Sequence, residues 1–248
     1  EMLRVRHSMK GQRVLIGAGR TEEPLDPVRM LTNRSSGRMG FALAEAARDR
    51  GADVTVVAGP VSVELPHGVR VVPVTTAIQM ERALRDASPQ ADVLIMAAAV
   101  ADYRPARAST QKLKRDAGPL TVTFEPNPDI LAGLGAAKPA GQFVVGFALE
   151  TENGVDNARK KLAAKHADMI VLNSPERGIG SDTNQVTLVE ARSALELPEA
   201  SKREVAERIF DRVAELRGDA HDAPELKLAA KRAAGATHSG AHSKRAKR

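Results

Sequence analysis

Short runs of consecutive aliphatic residues alternate along most of this chain with stretches in which apolar side chains recur every three or four positions. A run of four to eight such residues, bounded by glycine or proline, reads as a strand buried on both faces. The three-to-four spacing reads as an amphipathic helix. On this pattern strands are predicted at residues 13–16, 53–60, 69–74, 91–98, 142–147, 169–172 and 186–189, with an alternating strand at 121–124. Helices are predicted at 40–50, where Phe41, Leu43, Ala44 and Ala47 share one face and Gly51 is the stop, and at 77–87, 129–137, 154–167 and 201–216. Strands alternating with helices at this pitch predict an α/β, Rossmann-like fold: a mostly parallel sheet with helices on both faces. A fold class alone leaves the chemistry open.

Composition narrows the possibilities. Aromatic residues make up 2% of the chain, with no Trp and one Tyr, so aliphatic side chains must build the core. Little remains for the stacking platforms that sequence-general single-strand binding uses. The formal charge of +6 sits at the ends: residues 218–248 hold seven basic against three acidic side chains, and residues 1–13 four against one. The body between them is near neutral, so no specific nucleic-acid partner is expected. A non-enzymatic nucleic-acid binder acting through the basic tail stays open as an alternative. The absence of cysteine excludes disulfides, thiolate metal sites and a cysteine nucleophile. None of the six histidines pairs at ligand spacing within the body, so no structural zinc is expected. With no signal peptide and no apolar run of membrane-spanning length, the expectation is a cytoplasmic protein without a membrane partner.

Several segments carry candidate chemistry. Gly17-Ala18-Gly19 follows the first strand as in a dinucleotide fingerprint, but Glu22 stands where the third glycine belongs and the second strand ends at Ala58-Gly59 without a ribose-binding acid. A tight turn explains it equally well; an NAD(P)-binding oxidoreductase is the enzymatic alternative. Residues 33–40, Asn-Arg-Ser-Ser-Gly-Arg-Met-Gly, stand just before a helix and hold far more polar groups than one N-cap needs. They favour a phosphate or carboxylate site. Small residues at 97–101 followed by Asp102 suit a flat ligand at the carboxyl end of a sheet, although an Asp after a strand is often a turn former. The basic run Lys112-Leu113-Lys114-Arg115 reads as a solvated loop. Lys161 and Lys165 share a helix face, where solvent or a bound polyphosphate offsets their repulsion. Residues 127–130 read as a turn and an N-cap. A phosphate-binding GxxxxGK[ST] loop and a GxSxG nucleophile elbow are both absent.

Six blocks, GAGRTEEPLDPVRMLTNRSSGRMG, AAAVADYRP, KLKR, NPDIL, VVGFALET and ARKKLAAKHADMIVLN, resemble in order the phosphopantothenoylcysteine synthetases, and the resemblance spans roughly residues 13–190. Gly17 stands where that family commonly has Thr, and Arg20 where Gly or Pro is common; Arg38 and Arg115 replace usual lysines. The resemblance implies a two-step ligation: the carboxylate of 4′-phosphopantothenate is activated by CTP as an acyl-cytidylate, then cysteine displaces CMP. It implies catalytic roles for Asn33, at the acyl centre, and for Lys112, on the phosphates. It implies a nucleotide site of Met96, Ala97, Ala98, Asp102, Lys112, Asn127, Pro128, Asp129, Ile130, Phe147, Lys161 and Lys165, with the lysine pair as a triphosphate clamp. Phosphopantothenate would meet Asn33, Arg34, Ser35, Ser36 and Gly37. It further implies Mg²⁺ with the triphosphate, a homodimer, no flavin in this domain and a flavin-dependent decarboxylase domain fused upstream. The expected layout is a linker or N-terminal remnant at 1–13, the synthetase domain at 14–217 and a basic, disordered tail at 218–248. The start at Glu1 rather than Met fits a piece of a longer polypeptide or a trimmed terminus.

Overall fold

Every position of β1 (Arg13–Ala18) after Arg13 is buried, as a strand covered on both faces requires. The structure, a computed structural model, describes residues 8–115, 118–150, 152–173 and 182–218. The first seven residues of the expected linker, and the expected tail beyond Gly218, lie outside these. After β1 come a hairpin, β2 (Glu22–Pro24) and β3 (Met30–Thr32), then α1 (Arg38–Asp49), β4 (Asp53–Ala58), β5 (Arg70–Pro73), α2 (Ala77–Ala87) and β6 (Val93–Met96). A ribbon of β7 (Tyr103–Pro105) and β8 (Phe124–Pro126) precedes α3 (Ile130–Ala136), β9 (Phe143–Leu149), α4 (Gly154–Ala164) and β10 (Met169–Asn173). The chain closes with β11 (Thr183–Asn184), β12 (Val186–Val189), β13 (Ala194–Glu196), β14 (Ala200–Ser201) and α5 (Lys202–Arg217).

One eight-stranded sheet organises these elements in the order β13-β12-β10-β9-β6-β1-β4-β5. The six strands from β10 to β5 are parallel, and β12 and β13 add antiparallel to the β10 edge. Leu15, Leu94, Val144 and Ile170 point to one face, where Met80 and Leu84 of α2, Leu131 and Leu134 of α3 and Leu162 of α4 complete a wholly aliphatic cluster. The alternate residues Val14, Ile16, Val56 and Ile95 are equally buried, and α1 packs along β1 and β4. The α/β, Rossmann-like architecture predicted from the sequence is the one observed.

Local chemistry sets the helix starts. Thr76 caps α2 in a reciprocal box: its Oγ1 accepts the Gln79 amide at 3.3 Å, and Gln79 Oε1 accepts the Thr76 amide at 3.2 Å. Asp129 caps α3 by accepting the Ala132 amide at 3.0 Å. The start of α1 differs, because Gly37 is in the left-handed region at φ 82° and gives no side-chain cap. The strand predicted at 121–124 is corrected: only Phe124 belongs to a strand, and β8 runs on to Pro126 against β7 rather than in the main sheet. By contact the chain divides between Phe210 and Asp211. In the first unit the Arg50 guanidinium lies over the Phe210 ring and donates to Glu207 at 2.7 Å. In the second, the described residues are the end of α5 and Gly218, with an Arg212–Glu215 ion pair at 2.7 Å. Among the described residues no helix is long and apolar enough to cross a membrane.

Candidate active site

Strand order reverses between β1 and β6, since the chain builds outward from β1 through β4 and β5 and then returns to β6 and the other side. In an open parallel sheet the crevice beyond the carboxyl ends of such a strand pair is where ligands collect. Here the segments leaving β1 and β6 are laced together. Gly17 and Gly19 carbonyls accept the amides of Ala97 and Ala99 at 2.9 and 2.8 Å, and Thr21 Oγ1 accepts the Ala101 amide at 2.9 Å. The loop after β6 is thereby held as a fixed wall.

The glycines show why the dinucleotide signature is incomplete. A Cβ on Gly19 would stand 2.7 Å from the Gly59 carbonyl, and one on Gly37 2.5 Å from the Val61 side chain. Neighbouring protein atoms leave no room for a Cβ at either position, so packing alone accounts for glycine at both. The hairpin β2–β3 separates β1 from its helix, and the close strand–helix approach falls to Gly40, whose Cβ would stand 2.5 Å from that of Ala18. That approach is the usual task of the fingerprint's third glycine.

The loop ahead of α1 forms one side of a cavity of about 480 Å³. Asn33, Arg34, Ser35, Ser36 and Gly37 all line it, facing Ala97, Ala98, Asp102, Phe147 and Lys161. Asn33 shapes the loop with both ends of its amide: Nδ2 donates to the Ala99 carbonyl at 2.5 Å and Oδ1 accepts the Ser35 amide at 3.0 Å. Arg20, paired with Glu22 at 3.1 Å, reaches the Ser35 carbonyl at 3.3 Å from behind.

A second cavity of about 500 Å³ adjoins the first and shares Ala98, Val100, Asp102 and Phe147 with it. Its remaining wall includes Met96, Asn127, Pro128, Asp129, Ile130 and Lys165. Asn127 does more than turn the chain. Its Nδ2 donates to the Ala101 carbonyl at 2.8 Å, and its Oδ1 accepts from Arg104 at 3.0 Å. Lys161 and Lys165, expected from the resemblance to clamp a triphosphate, are divided between the cavities, and each is paired: Lys161 with Glu150 at 2.5 Å, Lys165 with Asp129 at 3.0 Å. The Glu150 carboxyl is held below the usual carboxylate range chiefly by its bond from Lys161, against its own burial. A triphosphate would have to displace these pairings.

Every site residue expected from the sequence therefore lines one cavity or both, except Lys112. The basic run is tethered elsewhere: the Leu113 amide donates to Asp26 Oδ2 at 3.1 Å, and the Leu113 carbonyl accepts from Arg29 at 2.8 Å. Arg38, part of the block at 33–40 read from the sequence as an anion site, is on the first cavity's wall, and three further polar residues there escaped that reading: Asn173, Asn184 and Lys202. Asn173 ends a buried strand and could have been flagged as a polar residue terminating an aliphatic run. Lys202 opens a helix and looks like solvated surface, yet only 8% of it is exposed.

A family model described as the DNA/pantothenate metabolism flavoprotein C-terminal domain matches residues 9–216. Over 213 residues the chain is 44% identical to a cysteine/cysteine sulfinic acid decarboxylase from an unknown prokaryotic organism, covering 84% of this chain and 59% of that protein. It is 42% identical over 213 residues to the coenzyme A biosynthesis bifunctional protein CoaBC of Escherichia coli, covering 84% and 52%. The crystal structure of the C-terminal domain of CoaBC matches with a TM-score of 0.74 at 39% identity, over 86% of this chain and 100% of that one. The chain spans about half the length of the curated relatives it matches.

Proposed function

Because the chain belongs to the DNA/pantothenate metabolism flavoprotein C-terminal domain family, we propose that it is a coenzyme A biosynthesis ligase that joins 4′-phosphopantothenate to cysteine using CTP. The observation that carries this reading is the pair of cavities meeting at Ala98, Val100, Asp102 and Phe147. They give two elongated ligands adjoining sites that abut at one wall, as an acid and the nucleotide that activates it require.

A carboxylate is a poor acylating agent until one of its oxygens becomes a phosphate leaving group. Its oxygen attacks the α-phosphorus of CTP, the bond to the β-phosphate breaks, and pyrophosphate leaves with the electron pair. The cysteine amine then attacks the acyl carbon, CMP departs as the C–O bond breaks, and the ammonium proton passes to solvent. Positioning and charge neutralisation are the protein's share of this chemistry. Asn33 keeps one N–H beyond its bond to Ala99, available to an acyl oxygen. The α1 N-terminus with Ser35, Ser36 and Gly37 offers donors to anionic oxygens, and Phe147 with the turn at 127–130 offers a flat, half-apolar seat for a base. Lys112 enters on this reading by movement of its tethered loop. Mg²⁺ would accompany the triphosphate, as an ion that commonly keeps phosphate and water ligands.

Val28, Met30 and Leu31 on the first ribbon and Tyr103, Leu120 and Phe124 on or beside the second are exposed, and the ribbons touch through β2 and β7. These exposed apolar side chains support a homodimer. The relatives' names, bifunctional and decarboxylase, support a further catalytic half upstream that would hold the flavin, and the pathway supports a cytoplasmic setting.

The test is pyrophosphate release with 4′-phosphopantothenate, Mg²⁺ and either CTP or ATP, with and without cysteine, the products identified by mass spectrometry. Amide that forms only with cysteine, and faster with CTP, supports the proposal in full. Preference for ATP changes the nucleotide alone. Folded protein that releases no pyrophosphate with either nucleotide overturns it.

A further inference from the structure

Arg104 lines neither cavity, yet its side chain is bound to the strand and turn that carry part of the second cavity's wall. It stands on β7 directly opposite Glu125 of β8 and pairs with that carboxylate at 2.7 Å. Its Nη1 donates to the Pro126 carbonyl at 2.8 Å and to Asn127 Oδ1 at 3.0 Å. Asn127 is fastened to the same segment twice more. Its backbone amide donates to the Asp102 carbonyl and its Nδ2 to the Ala101 carbonyl, each at 2.8 Å. The Ala101 amide is held in turn by Thr21, which is fully buried.

A guanidinium only donates and a carbonyl only accepts, so these two neighbours leave the Asn127 amide one orientation: oxygen toward Arg104, nitrogen toward Ala101. The reversed amide would set its oxygen against the Ala101 carbonyl and its NH₂ against a cation. In the observed orientation Nδ2 keeps a second N–H, on a residue that lines the second cavity. Resting on the reading of that cavity as the nucleotide seat, we propose that Arg104 is a positioning residue for the ligation, holding Asn127 so that this N–H meets an acceptor on the nucleotide. The ion pair with Glu125 is the lesser part of its work, because that carboxylate is 45% exposed and solvent screens it. The bonds to Pro126 and Asn127 are charge-assisted and directional. They also fix the start of the turn at 127–130, whose Asp129 caps α3 and pairs with Lys165.

The experiment is calorimetric titration of the whole chain with CTP, ATP and 4′-phosphopantothenate in turn, alongside steady-state amide formation. Wild type is compared with Arg104→Met, Arg104→Lys, Glu125→Gln, Asn127→Ala and the double variant Arg104→Met/Asn127→Ala. One oriented hydrogen bond to a ligand is worth roughly three- to tenfold in affinity. Arg104→Met should lose that much for the nucleotide, raising its KM with little change in kcat, and should bind 4′-phosphopantothenate as wild type does. Glu125→Gln should bind both ligands normally. The double variant should bind nucleotide no more weakly than Asn127→Ala, because the arginine acts through the asparagine. If Arg104→Met does not fold, Arg104→Lys decides: one ammonium cannot span Glu125, Pro126 and Asn127, so the same selective loss is expected at smaller size. Unchanged nucleotide affinity in the arginine variant that folds, equal weakening of nucleotide and 4′-phosphopantothenate, or multiplicative effects in the double variant overturns the role of Arg104. Amide made with a normal nucleotide KM by Arg104→Met sinks that role alone. Selective nucleotide loss through Arg104 in a protein that makes no amide sinks only the proposed reaction, and a wild type that binds neither nucleotide sinks both.

Discussion

Asp26 and Leu113 are joined across 87 positions of sequence, Oδ2 of the carboxylate accepting the Leu113 amide at 3.1 Å. The same carboxylate accepts the amides of Val28 and Arg29 at 2.8 and 2.7 Å, and Arg29 Nη2 at 2.5 Å. Its pKa lies well below the usual carboxylate range, chiefly through Arg29 and opposed by burial. A carboxyl depressed in the folded state stabilises the fold above its unfolded pKa, near 3.9, and that stability is lost as pH falls toward the folded value. Asp26→Asn should therefore lower the melting temperature at pH 7 and flatten the acid limb of the stability curve. Calorimetric scans from pH 7 to 2 should show the gap between the proteins constant above pH of about 5 and closing below about 4. A gap that stays undiminished between pH 5 and pH 2 would place the effect outside this ionisation.

The same bond gives a coupling prediction. If Asp26 and Arg29 position the loop that carries Lys112, Lys112→Gln should slow pyrophosphate release about tenfold or more, and Asp26→Asn should slow it by less. Combining them should add less than the product of the two effects, as for residues acting through one element. Multiplicative rates would disconnect the tether from the lysine.

Asn33→Asp keeps the size of the side chain but replaces its donor, removing the bond to the Ala99 carbonyl and setting a negative charge beside an anionic substrate. Pyrophosphate release should persist while amide formation falls by about a hundredfold, the scale for losing one oriented donor. Quench-flow separates the two steps. Normal amide yield would remove Asn33 from the acyl centre.

Gly40→Ala forces a methyl to within 2.5 Å of the Ala18 Cβ, between a central strand and its covering helix. The expected cost is about 1–3 kcal/mol of unfolding free energy in urea titration. Gly133, where nothing stands near the Cβ position, is the control helix glycine and should tolerate Ala.

Glu150→Gln releases Lys161 from its partly exposed pair, whose worth is on the order of 0.2–1 kcal/mol. Nucleotide affinity should rise about two- to fivefold by calorimetry. Weaker binding would mean that Glu150 aids the ligand directly.

The central strands were legible because burial on both faces demands near-continuous apolar runs, and β1, β4, β6, β9 and β10 are largely such runs. The ribbons were not. Glu22–Pro24 and Tyr103–Pro105 are three-residue strands that mix proline with charge, and only their partners make them strands. The loop at 33–40 was legible because its composition exceeds any capping need. Residues 127–130, Phe147 and the two lysines were assigned only through the family resemblance, since read alone they are a turn with an N-cap, a strand residue and charges around a helix end. Lys112 illustrates the limit: its charge can be read from the chain, but its address depends on two backbone bonds made by Leu113. Lys202 fails in the opposite way, since its burial follows from the cavity wall and not from neighbours in sequence.

The central place of β1 has a consequence for synthesis on the ribosome. Val14 pairs with Val54 on one side and with Val93 on the other, so the strand's first neighbour emerges long before its second. While the intervening residues are being made, β1, β4 and β5 can already assemble, but one edge of β1 stays open. An open edge of that kind invites pairing with another nascent chain. Pausing before residue 93 should therefore favour aggregation, and release after it should favour the native sheet.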